Sequence, residues 1–259
     1  MLMFSCFENF PIYYYGLSLW ILFGIIICLI LIKFNTIPTY GRYFPKNGIL
    51  INNRLGWILM ELPTLILMPY FTFSGFNNPN SVVIVFLCLY MIHYINRTLI
   101  FPFRIKFKRK KISILIVLSA ALFNLVNTFF IGYYFGNLAE YDLNWFQTPY
   151  FICGLSIFLI GMYINQSSDT ILINLRDNNN DNYKIPYGGF FKYVSCPNYF
   201  GEILEWLGFA ILTWSLSGLA FMLWTCFNLI PRAIRHHNWY NENFKEYPKK
   251  RKAVLPHLF

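Results

Sequence analysis

Runs of roughly twenty residues almost free of charge recur along this chain, and few features constrain a fold more. In lipid every backbone polar group must be satisfied within the segment, which makes the helix the element such a run can build. Seven apolar segments are readable, at 12–33, 55–73, 81–101, 112–135, 149–173, 199–216 and 219–230, the last continuing into a polar helix. Only Ser217-Gly218 separates the sixth from the seventh. With 57% hydrophobic, 21% aromatic and 12% charged residues among 259, the composition excludes an ordinary soluble domain. The expected fold is all-α: a polytopic single membrane domain over 1–259 with seven transmembrane helices. Within it, 1–110 carries the first three helices and 111–259 the C-terminal helices and cytosolic loops.

Charge gives the orientation. All 21 Lys and Arg residues fall after the first, third, fifth and seventh segments or at their ends, and the opposite side carries none. By the positive-inside rule the N-terminus is outside or lumenal and the C-terminus cytosolic, with an odd number of crossings. The net charge of +10 then reflects topology and headgroup attraction, and no nucleic-acid partner is expected. No basic n-region precedes the first segment and no small-residue cleavage pattern follows it, so it reads as a retained span. The six cysteines show no CxxC spacing. The histidines are scattered, with His93 alone on its span, so neither a disulfide framework nor a metal site is expected. GxGxxG, GxxxxGK and GxSxG patterns and internal repeats are absent.

Against that background the polar residues within the spans carry the functional signal, because an ionisable group in a membrane helix is costly unless it faces protein or water. The stretch 195–206 runs from a polar loop into a helix bearing Glu202 and Glu205. They read either as site residues or as acids placed at a favourable helix N-terminus. Glu61 precedes Pro63 in the second span; either it pairs with a base on a neighbouring helix or it serves a site. Tyr94, next to His93 and one turn before Arg97, reads alone as an interfacial anchor. At 1.5 Å per residue, however, Glu61 and Tyr94 both lie about 10 Å below the cytosolic ends of sequential antiparallel helices. A carboxyl and a phenol at matched depth can share one pocket. Asn124 and Asn127 read as interhelical hydrogen-bonding glue, and Asn165 and Asp169 share one helix face. Beyond the seventh span Pro231 is placed to start a fresh helix. Arg232, His236 and Tyr240 then line one face, suited to phosphate and ribose or amide groups, or equally to lipid headgroups. The 247–252 tail reads as a surface contact, and the loops 35–53 and 177–189 as a cytosolic cap and a solvated turn backed by Gly188-Gly189.

Together these residues resemble the steroid 5α-reductase family, the 3-oxo-5α-steroid 4-dehydrogenases. The resemblance rests on Glu61-Leu62-Pro63, His93-Tyr94 with Arg97-Thr98, Gly161-Met162 with Ile164-Asn165 and Ser168-Asp169, and Ile185-Pro186 with Gly188-Gly189. It continues in Asn198 with Gly201-Glu202, Glu205-Trp206, and Glu246-Tyr247-Pro248-Lys249 with Arg251-Lys252-Ala253. It covers the chain from about Glu61 to its end. The Pro197-to-Glu202 piece alone also occurs in membrane sterol reductases and isoprenylcysteine methyltransferases; Glu61 and Tyr94 favour the steroid enone reductases.

The resemblance implies a seven-helix enzyme of the endoplasmic reticulum or a prokaryotic inner membrane. It would act as a monomer, binding NADPH from the cytosol and a Δ4-3-ketosteroid from the bilayer. By similarity Glu61 and Tyr94 are catalytic and hold the substrate carbonyl. Trp57 and Trp206 line the steroid slot, and Arg97, Asn165, Asp169, Arg176, Tyr183, Asn198, Glu202, Arg232, His236 and Tyr240 contact or organise the dinucleotide. Met60, Trp224 and Asn228 depart from the family's usual residues and bear on which steroid is taken. Chemically, hydride delivery to an enone drives negative charge onto its carbonyl oxygen, which Tyr94 is suited to meet with a hydrogen bond. Burial disfavours an ionised Glu61, so it supports the phenol or donates directly. The alternatives are reduction of another lipid enone or enal (a polyprenol or enoyl-thioester derivative), methyl transfer from S-adenosylmethionine, and non-catalytic sterol binding.

Overall fold

The computed structural model describes residues 11–34, 48–105, 111–175 and 183–256. Six helical segments among them are long and apolar enough to cross a membrane: Pro11–Lys33, Asn53–Phe73, Ser81–Arg104, Ile114–Leu138, Pro149–Leu175 and Leu216–Asn243. The chain divides into two compact units, Met1–Ser18 with Thr36–Thr148 and Leu19–Asn35 with Pro149–Phe259.

In the first unit, the early turns of helix α1 (Pro11–Lys33) accompany α2 (Asn53–Phe73), α3 (Ser81–Ile95) and α4 (Ile114–Tyr133). Capping by asparagine starts two of them. Asn52 accepts from the amides of Arg54 and Leu55 at 2.9 and 3.3 Å, and Asn80 from those of Val82 and Val83, both at 3.1 Å. α3 continues through a π-helical turn, Asn96–Ile100, into Phe101–Arg104. The exception to an all-α reading is a two-stranded antiparallel sheet, β1 (Leu50–Asn52) with β2 (Lys111–Ser113). It satisfies backbone groups where α2 and α4 begin, so both helices start at one face. Arg54 Nε donates to Pro102 O at 3.1 Å, which brings the end of α3 to that face. At the other face Asn77 N donates to Gly136 O at 2.8 Å. The helices therefore alternate in direction, with a core that includes Met68, Phe86 and Phe135.

The second unit holds the later turns of α1, α5 (Pro149–Leu175), α6 (Pro197–Thr213) and α7 (Leu216–Asn243). The expected span missing from those six is the sixth, which is α6. Its 17 residues rise about 25 Å, less than the roughly 30 Å of a hydrocarbon core. The break between α6 and α7 falls at Trp214-Ser215 and not at Ser217-Gly218. Trp214 ends α6 in a left-handed conformation (φ 45°), and Ser215 caps α7 by accepting from Gly218 N at 3.1 Å. Pro231 does not start a new helix either: α7 runs through it. Leu229 and Ala233 on either side are buried with Ile203 of α6 and Val254 of the tail, and this packing holds α7 together despite the hydrogen bond proline removes.

Four glycines bring α5 and α6 together. A Cβ at Gly154, Gly161, Gly201 or Gly208 would fall onto the backbone of the facing helix, so only hydrogen permits so close an approach. Gly161→Val is expected to lower the melting temperature in detergent by about 5–10 °C. An unchanged melt would mean that the helices do not meet there.

Candidate active site

The first unit buries an acid, an amide and a phenol together. Glu61 follows Met60 on α2, Tyr94 lies in the last turn of α3, and Asn124 faces Glu61 and Tyr94 from α4; the three are 9%, 4% and 6% exposed. Asn124 Nδ2 donates to Glu61 Oε2 at 2.9 Å and to Met60 O at 2.7 Å, while Tyr94 OH donates to Asn124 Oδ1 at 3.5 Å. Behind Tyr94 its ring lies 4.8 Å from that of Tyr90 and 5.2 Å from that of His93. The matched depth of Glu61 and Tyr94 thus corresponds to a real cluster. Asn124 is the member that sequence reasoning left as packing glue. Asn127, its companion in that reading, donates to Phe123 O of its own helix at 2.9 Å.

Arg97 and Trp57 are also in this unit, in direct contact. The Arg97 guanidinium, on the π-helical turn, lies 4.6 Å from the Trp57 ring and 4.8 Å from Phe101, two cation–π contacts to rings that meet edge-to-face at 5.2 Å. Such turns in otherwise regular helices are frequent at functional sites.

The second unit gathers most of the remaining candidates at the start of α6. Asn198 Nδ2 donates to Asp169 Oδ1 at 3.1 Å, and Asn165 Nδ2 donates to Asn198 O at 3.0 Å and Glu202 Oε2 at 3.4 Å. The glycine-mediated approach of α5 to α6 sets this register. Along α7, Arg232 and His236 are half-buried and Tyr240 is buried. His236 lies with its ring 6.1 Å from that of Tyr199, and Tyr183 with its ring 5.3 Å from that of Trp239. Trp206 sits elsewhere. It is 1% exposed, enclosed by Phe158, Phe209 and Phe221, the last 4.5 Å away. Trp224 donates from Nε1 to Trp20 O at 3.1 Å, and Asn228 is half-buried on the same helix. Arg176, the cap loop through residue 47 and the Asn-rich tip through residue 182 lie outside the described residues.

The tail is not a surface contact. Tyr247 and Arg251 are each 3% exposed, and Lys252 N donates to Tyr193 O at 3.0 Å. Ser195 Oγ is 2.7 Å from His237 Nδ1 and 2.6 Å from Tyr247 OH. Tyr247 stacks on Tyr240 at 5.1 Å, and burial pushes its hydroxyl pKa up. Sequence reasoning missed this strut; its signal, an aromatic and an arginine amid lysines, is easily read as solvated. Among the described residues no three His, Cys, Asp or Glu side chains gather as metal ligands.

Apolar spanning helices enclosing two such polar clusters define an integral membrane protein with interior chemistry. Residues 110–259 match the family model described as 3-oxo-5-alpha-steroid 4-dehydrogenase. The chain is 42% identical to a steroid 5-alpha-reductase of Solanum lycopersicum, over 89% of this chain and 91% of that protein. It is also 42% identical to 3-oxo-5-alpha-steroid 4-dehydrogenase 1 of Rattus norvegicus, over 84% and 85%, and 41% identical to a steroid 5-alpha-reductase of Arabidopsis thaliana, over 89% and 90%. The chain belongs to the 3-oxo-5-alpha-steroid 4-dehydrogenase family and is an oxidoreductase.

Proposed function

We propose that this protein reduces the Δ4 double bond of 3-oxo-Δ4-steroids with NADPH, giving 5α-3-oxosteroids. The observation that carries the reading is the hydrogen-bonded Glu61, Asn124 and Tyr94 set inside a chain of this family. The net change is enone plus NADPH plus a proton to saturated ketone plus NADP+. NADPH, when bound, would supply the hydride that C5 gains. Tyr94 donates a hydrogen bond to the C3 oxygen, where negative charge develops as C5 is reduced. Glu61, as a carboxylic acid, shares that oxygen or supports the phenol. The resulting enolate takes a proton at C4. Burial of Glu61, Tyr94 and Asn124 limits access of water, which strengthens both hydrogen bonds.

The second unit fits the dinucleotide by the chemistry of its donor set. Arg232 suits a phosphate, while Asn165, Asp169, Asn198 and Glu202, already joined by hydrogen bonds, suit ribose hydroxyls and a carboxamide. His236, Tyr240, Tyr183 and Arg176 complete the set. Trp57 belongs to the steroid side with Glu61 and Tyr94, whereas Trp206 is enclosed in the core of its own unit.

The topology we favour has seven crossings, N-terminus outside and C-terminus with the cofactor side cytosolic. Lys252 bonded to Tyr193 brings the chain after α7 back to the chain before α6, so these two helices form an up-down hairpin. Arg235 Nη2 donating to Leu31 O at 3.0 Å brings the end of α1 to that same face. A hairpin there keeps the last seven basic residues on the side of all the others.

Purified protein incubated with NADPH and a Δ4-3-oxosteroid is expected to oxidise the cofactor and yield the 5α ketone in equal amounts, followed by mass spectrometry. Steroid recovered unchanged while NADPH binds would refute the reading.

A further inference from the structure

Asn124 carries more than packing. Its two amide hydrogens are both committed, one to Glu61 Oε2 and one to Met60 O. The opposite amide orientation would set Oδ1 against the Met60 carbonyl, acceptor against acceptor, so the hydrogen bonds fix which end is which. Pro63, three residues on, has no N–H to give to Leu59 O, the carbonyl just before Met60 O on the same turn of α2. The amide is therefore anchored on the backbone of one helix while it grips that helix's carboxyl. Its Oδ1 is left facing Tyr94, whose hydroxyl reaches it only at 3.5 Å, near the limit of a hydrogen bond.

Two chemical consequences follow. A carboxylic acid whose Oε2 accepts from an amide N–H carries its proton on Oε1, so the hydrogen that Glu61 can donate has one position and not two. Meanwhile the long contact to Oδ1 gives the Tyr94 proton an acceptor in a buried pocket, where a hydroxyl without one is costly. A contact so long yields readily to a substrate carbonyl oxygen. We propose that Asn124 is a positioning residue for the reduction: it fixes the proton-bearing oxygen of Glu61 and holds the Tyr94 hydroxyl until the enone oxygen replaces it. The proposal rests on the reading of Glu61 and Tyr94 as the pair that meets the substrate carbonyl.

The test is a double-mutant cycle in the purified full chain, with Asn124→Leu and Glu61→Gln alone and together. Asn124→Leu is expected to lower kcat by about 10- to 100-fold, the range for a lost hydrogen bond to a reacting group, with the NADPH Kd within about twofold. In the Glu61→Gln background the same change should cost less than about threefold, because the group it positions is already altered. Additive losses in the cycle would overturn the proposal, since an amide acting only through helix packing would cost the same in both backgrounds. Asn124→Asp guards against misfolding. It keeps the shape but sets an oxygen against Glu61 Oε2, and should lower kcat at least as much while NADPH still binds; wild-type turnover in this variant also overturns the idea. Failure of the wild-type protein to reduce a Δ4-3-oxosteroid would instead refute the assigned reaction, so the two failures are separable.

Discussion

Tyr94→Phe is expected to lower kcat about a hundredfold or more while leaving the NADPH Kd within about twofold. The substitution isolates the hydroxyl. Its ring is 4% exposed and packed between those of Tyr90 and His93, contacts that phenylalanine reproduces. The lost donor matters most in the transition state, when the carbonyl oxygen has become partly an oxyanion; in the ground state that oxygen is a weaker acceptor. The loss therefore falls on kcat and little on steroid KM. Steady-state turnover beside a fluorescence titration of cofactor separates the two. Loss of NADPH binding would place Tyr94 in the wrong site, and unchanged kcat would remove it from the chemistry.

Much of the two candidate clusters was legible because the signal was an anomaly against a uniform background. In a chain this apolar, Glu61, Asn165 and Asp169 stand out as costly, and the helical rise converts their positions into depths. The same logic found Tyr94 only by pairing its depth with that of Glu61. Asn124 was visible as a polar residue but not as a site member, because an amide in a membrane helix bonds many neighbours equally well. The contacts to Glu61 Oε2 and Met60 O are what tie it to the acid.

What stayed illegible turned on packing between distant segments. Nothing local says that Leu229 and Ala233 are clamped against α6, so Pro231 read as a helix start. Nor does a lysine-rich tail announce that Tyr247 and Arg251 are buried. That burial is fixed by Ser195 and Tyr193, more than fifty residues earlier. The short α6 was readable as apolar but not as short, since its end is set by the left-handed Trp214, a conformation a tryptophan adopts only when its surroundings hold it. Gly161 and Gly201 entered through the family resemblance, and their physical role, backbone contact between α5 and α6, emerged only from the fold.

Arg232→Ala is expected to act in the opposite sense to Tyr94→Phe, raising the NADPH Kd and KM by about 10- to 100-fold while kcat at saturating cofactor changes by less than about threefold. A guanidinium that clamps a phosphate makes the same contact before and during hydride transfer, so its loss weakens ground state and transition state equally. Arg232 is half-buried on α7, four residues before His236, and that burial limits screening by water. Arg232→Lys should recover only part of the affinity, because an ammonium keeps the charge without the planar two-point contact. Comparing NADPH with NADH tells which phosphate is held. A loss confined to NADPH assigns Arg232 to the 2′-phosphate, and an equal loss with both assigns it to the pyrophosphate. If Arg232→Ala binds NADPH as the wild type does, the α7 face is a headgroup surface and the grip on the dinucleotide lies with other residues.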